Sequence, residues 1–123
     1  MSVGNFFNTE NRALNLRTVD LTSASGDITY TARTGRATDD FIVDRVIRVT
    51  TTDGYDMTIT LPDGVAYGQE VLVIFEVEAD DETVDVSTTT GDNATTLDDA
   101  GGYSLLQWHG STLGWAELAN ETT

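Results

Sequence analysis

The chain has 123 residues, no cysteine and no lysine, and 21 acids against six arginines, for a formal charge of -15 at pH 7. That balance argues against nucleic acid as a partner, because the phosphate backbone is bound by Lys and Arg, and against anionic membrane surfaces. The lack of cysteine rules out disulfides, thiol catalysis and cysteine-ligated zinc.

The charge is unevenly placed. Residues 1–48 hold six acids and all six arginines, whereas residues 49–123 hold fifteen acids and no base. Charge of one sign repels itself and opposes the compact state. The repulsion acts over about 10 Å at 0.1 M salt but only about 3 Å at 1 M. A fold carrying this charge is therefore expected to hold best in concentrated salt.

The predicted elements are almost all strands, with one domain over residues 13–123 and an N-terminal arm over residues 1–12. In the arm, Phe6 and Phe7 stand among Asn, Ser and Gly without a strand pattern. They are expected to dock on their own domain or on a neighbouring subunit. Strands follow at Ala13 to Leu21, with Leu14, Leu16 and Val19 or Leu21 inward, and at Ile28 to Arg33 after the Ser25-Gly26-Asp27 turn. Phe41 to Thr51 is a long strand, and Arg45 and Arg48, three apart, are expected on opposite faces. Asp53-Gly54 signals a hairpin. Tyr55 to Leu61 alternates, with Met57, Ile59 and Leu61 on one face.

Pro62-Asp63-Gly64 closes that strand with a turn. Glu70 to Glu78 is apolar on both sides: Val71, Val73, Phe75 and Val77 on one, Leu72 and Ile74 on the other. Such a run belongs at the centre of a doubly covered sheet or at a subunit interface. Short strands are expected at Val84 to Val86 and at Thr95 to Leu97 in a polar loop. Tyr103 to His109 and Leu113 to Leu118 form a closing hairpin that brings Trp108 to Trp115. The fold class is all-β, expected as an antiparallel sandwich of jelly-roll type.

Three groups bear on chemistry. His109-Gly110-Ser111 does not make a hydrolase, because adjacent residues in one hairpin loop cannot orient a nucleophile and its base. No catalytic residue and no cofactor is expected. Asp92, Asn93, Asp98 and Asp99 share a loop and offer oxygen ligands to a hard cation, without EF-hand spacing. Arg33, Arg36, Arg45 and Arg48 are cationic anchors for acids of their own sheet, a second copy or an acidic shell. Trp108 and Trp115 serve a core or a subunit contact, or with Tyr103 a sugar-stacking platform.

From about Asp39 to Leu118 the order of features resembles a known family. TITLPDG is followed by Gly68-Gln69 and an apolar strand. Then come Val84 and Val86, a loop with Gly91-Asp92, and a closing Leu105, Trp108, Gly110 and Trp115. This is similar to the small β-sandwich domains of tailed-virus structural proteins: tail-fibre and spike pieces, head fibres and capsid decoration proteins. Acid-rich, lysine-free composition resembles that of proteins from salt-loving archaea and their viruses. The resemblance implies a non-enzymatic protein of the virion surface. The implied form is a homo-trimer cementing the major capsid protein; the alternatives are a tail or turret component and a carbohydrate-binding module.

Overall fold

The computed structural model describes residues 14–35, 42–92 and 95–122. Nine strands and one helical turn follow in order: β1 (Asn15–Thr22), β2 (Thr29–Thr31), β3 (Ile42–Thr50), β4 (Met57–Leu61), β5 (Glu70–Val77), β6 (Val84–Thr88), β7 (Thr95–Leu97), β8 (Tyr103–Trp108), α1 (Gly110–Leu113) and β9 (Trp115–Glu121). All-β is therefore the observed class. Strand positions follow the period-2 alternation closely, but the pairing departs from the antiparallel expectation.

The strands form two mixed sheets. One has five strands in the order β1-β3-β5-β8-β9, the other four in the order β2-β4-β6-β7. Pairs β1·β3, β3·β5, β2·β4 and β4·β6 are parallel. Only β5·β8, β8·β9 and β6·β7 are antiparallel. An antiparallel jelly roll is thus not formed. The chain instead winds between the sheets. In the larger sheet β3 is laid beside β1 and β5 beside β3; in the smaller, β4 is laid beside β2 and β6 beside β4. Register partners such as Met57 and Val84 recur at a spacing inside the roughly 20–50 residues of repeat architectures. The antiparallel strands β7, β8 and β9 differ from the wound ones, as terminal units of a stack commonly do.

Parity of the side chains explains why Asp53-Gly54 makes a corner instead of a hairpin. The turn itself forms: Tyr55 N–H donates to Thr52 O at 2.9 Å. Continued pairing from that bridge would set Met57 opposite Thr50 and Ile59 opposite Arg48. Opposed residues share a face. The apolar side of β4 would then lie with polar residues of β3, away from Ile47 and Val49. Sending β4 to the second sheet instead turns Met57, Ile59 and Leu61 toward Ile47, Val49, Val71, Val73 and Phe75 in one core.

Successive corners are stitched by buried hydroxyls. Ser23 Oγ accepts from Thr52 N–H at 2.9 Å and donates to Tyr55 O at 2.6 Å. One coil later, Thr51 accepts from Ala79 N–H at 3.2 Å and donates to Glu82 Oε1 at 3.0 Å. Glu82 is buried and also accepts from the N–H groups of Gly54 and Asp80, both at 2.9 Å. Those donors, the Gly54 N–H first, hold its carboxyl down to about 2.

The far end is closed by the β8–β9 hairpin. Trp108 pairs with Trp115 across it, with ring centroids 5.4 Å apart and planes at 59°. Trp115 is fully buried, and its indole N–H donates to Pro62 O at 2.9 Å. The loop after β6 is fastened to the same strand: Trp115 N–H donates to Thr90 O and Asp92 N–H to Trp115 O, each at 2.8 Å. Glycine is required at this crossing. Gly91 and Gly114 have φ of 116° and 72°, and a Cβ on either would lie 2.2 Å from a backbone oxygen of the facing segment.

Candidate interaction surface

The five-stranded sheet turns one face to the core and leaves the other without a covering layer among the described residues. Side chains alternate along a strand, so burial of Val71, Val73 and Phe75 puts Leu72 and Ile74 outward on β5. Burial of Ser104, Leu106 and Trp108 does the same for Tyr103, Leu105 and Gln107 on β8. The register aligns these residues in rows across the sheet. One row runs Thr18, Val46, Leu72, Leu105 and Ala119; the next runs Asp20, Arg48, Ile74, Tyr103 and Glu121. Leu72, Ile74, Tyr103, Leu105 and Ala119 line a shallow groove of about 390 Å³. Its centre is apolar and its ends are charged, the anatomy of a contact surface with a polar rim.

Two arginines, Arg45 and Arg48, lie on this face. Arg48 reaches Asp20 at 3.2 Å and Glu76 at 2.9 Å, and Arg45 reaches Glu70 Oε1 at 2.9 Å. Gln107 donates to the other Glu70 oxygen at 3.2 Å. Arg45 and Arg48 were expected on opposite faces. The β1·β3 register slips between Arg17 and Thr18, passing from Asp44 to Val46, so Arg45 is the extra residue of a bulge. Both guanidinium groups therefore meet carboxylates of β5, Arg45 at Glu70 and Arg48 at Glu76. These ion pairs are partly exposed, at 31–43% for the β5 partners and their arginines, and add at most about 1 kcal/mol each.

The corners and the smaller sheet's strands carry acid without base. The corners contain Asp27, then Asp53 and Asp56, then Glu78, Asp80, Asp81 and Glu82, and no arginine. Strands of the smaller sheet have no base either. The winding stacks these corners along one edge of the molecule. Approach of a second acidic copy there is opposed, whereas on the outer face of the larger sheet Arg45 and Arg48 offset Glu70, Asp20 and Glu76.

Phe6, Phe7, Arg36 and Asn93 lie outside the described residues. Trp108 is 3% exposed and Trp115 0%, so both belong to the core; Tyr103 is on the outer face and shares no platform with them. Arg33 uses its backbone: its N–H donates to Asp44 at 2.9 Å and its carbonyl accepts from Asp44 N–H at 2.7 Å. Asp92 accepts from Glu117 N–H at 2.9 Å, and Asp98 N–H donates to Thr122 O at 2.8 Å, which makes both parts of the strap to β9. Among the described residues, the carboxylates that converge are Asp53, Asp80 and Glu82, at the corners. Two of these are exposed, and both Glu82 oxygens already accept from protein donors. His109 sets its ring edge-on to Tyr67, centroids 5.7 Å apart.

Sequence reasoning missed a polar knot between the sheets. Asp44 of β3 is fully buried and accepts from the Arg17 guanidinium, the Tyr30 hydroxyl and the Arg33 N–H. Burial, reinforced by the neighbouring Asp44 carboxylate, pushes the Tyr30 phenol up to about 12. A clue lay in an acid directly after Val43 in the IVDRVIRV strand, since a buried charge is not tolerated unpaired.

No family model and no curated protein matches the chain.

Proposed function

We propose that this chain is a non-enzymatic structural protein of a virion. Its place is the capsid surface of a tailed virus of a salt-loving archaeon, where it decorates and cements the shell. The supporting observation is the apolar outer face of the five-stranded sheet, where Arg45 and Arg48 pair with Glu70, Asp20 and Glu76. Burial of that face against copies of the chain and against the major capsid protein supplies the holding force. Concentrated salt favours such a contact twice, by screening repulsion and by strengthening apolar association when the salt is excluded from the surface. The order of motifs from Asp39 to Leu118 and the lysine-free composition support the viral and saline parts of the reading.

A tail or turret component would use the same surface at a symmetric junction. The copy number per purified particle, measured by quantitative mass spectrometry, separates the two. Decoration predicts on the order of hundreds of copies, as a shell presenting many equivalent sites requires. A handful places the chain in the tail, and absence from particles ends the reading.

A further inference from the structure

We infer that the outer face of the five-stranded sheet pairs with the same face of a second copy, about a two-fold axis parallel to the strands and lying between β5 and β8. The inference rests on the reading of this face as an assembly surface and adds the partner and its register.

The two rows are symmetric about that axis. A two-fold contact needs a patch that maps onto itself, so that residue i meets j while j meets i. Strands on either side of the β5–β8 junction exchange places under that axis. Leu72 then faces Leu105 of the partner subunit, and Ile74 faces Tyr103 of the partner subunit. One strand further out, Val46 faces Ala119 of the partner subunit. In the adjacent row Arg48 faces Glu121 of the partner subunit, opposite charges at equal distances from the axis. Apolar thus meets apolar and arginine meets glutamate, each twice. Arg48 already holds Asp20 and Glu76, so its new partner fixes register more than affinity. Axes along β5 or along β8 are poorer. The first sets Asp20 against Glu121, and the second sets Arg48 beyond the opposing sheet edge. The acid-rich corners remain outside the contact in this arrangement. A three-fold assembly, which the viral resemblance implies, would join two different surfaces and leave this symmetry unused.

The chain has no cysteine, so single thiols report the register directly. Arg48→Cys and Glu121→Cys are prepared separately, mixed in concentrated sodium chloride, and treated with a bis-maleimide spanning about 10 Å, the usual distance between stacked sheets. The expected product is the cross-link between the two different variants. Each variant alone should give several-fold less. The two copies of Arg48 would stand three strand spacings apart, about 14 Å at ~4.8 Å per strand, before the sheet separation is added. Native mass spectrometry of the unmodified chain should give a dimer or an even multiple. A trimer overturns the inference. So does a monomer whose face is covered by residues 1–13 of its own chain. Equal yields of like and unlike cross-links overturn the register. The pairing and the viral reading fail separately: a cross-linked dimer absent from particles defeats only the latter, and abundant copies on particles without the unlike cross-link defeat only the former.

Discussion

Replacing Trp115 by alanine is expected to lower the stability of the fold by about 3–5 kcal/mol, a large share of the roughly 5–15 kcal/mol available to a domain. The side chain is 0% exposed, packs on Trp108 and donates its N–H to Pro62 O at 2.9 Å. Its backbone receives the loop after β6 through Thr90 and Asp92. Truncation therefore empties a large volume where the two sheets are joined, and it leaves the Pro62 carbonyl without its indole donor. Trp115→Phe should retain much of the packing and lose the hydrogen bond, giving a smaller decrease. Urea denaturation in concentrated sodium chloride, followed by the remaining Trp108 fluorescence, measures this. The midpoint should fall with an unchanged slope. Guanidinium chloride is unsuitable because it changes the ionic strength along with the denaturant. A Trp115→Ala midpoint within error of the wild type would mean that the hairpin is not part of the core.

Replacing Asp44 by alanine should be nearly as damaging, at about 3 kcal/mol. Breaking a buried ion pair by removing one partner costs roughly 3–5 kcal/mol, because the other group is left uncompensated. The lower figure is expected because the Arg17 side chain is 41% exposed and can turn to water. The Tyr30 OH and the Arg33 N–H, both part-buried, each lose their acceptor. Asp44→Asn keeps an acceptor oxygen and should fall between the two. The same urea titration distinguishes these variants. Equal stability of the Asp44→Ala variant and the wild type would refute the knot as a fastening between the sheets.

How far the sequence could be read depended on which physical rule acted alone. Strand positions were legible because burial of one face imposes period 2 on Met57, Ile59 and Leu61 and on Val71, Val73 and Phe75, whatever the partner strand. The Trp108–Trp115 contact was legible because a short turn brings its two strands together. Pairing between coils was not read, since parallel neighbours such as Met57 and Val84 meet only after a full circuit of the chain. The Asp53-Gly54 turn chemistry suggested the wrong connection. The parity of Arg48 against Ile59 contradicted a hairpin there, and that conflict was the available signal. Leu72 and Ile74 were visible as a second apolar side, but the surface they build needs Val46, Leu105 and Ala119 from strands whose order only the fold reveals. The bulge at Arg45, which brings two arginines onto one face, has no signature in the residue pattern.

Association of the acidic scaffold through its apolar sheet face is expected to be strongest in brine. Sedimentation velocity of the full chain across sodium chloride concentration, from dilute buffer to several molar, tests it most directly when Leu105→Asp is run beside the wild type. The wild type should shift toward the associated species as salt rises, and Leu105→Asp, which places a charge in the middle of the face, should stay monomeric at every concentration while retaining its far-ultraviolet circular dichroism. A folded wild type that sediments as a monomer throughout, or a Leu105→Asp variant that associates as well as the wild type, would contradict the account.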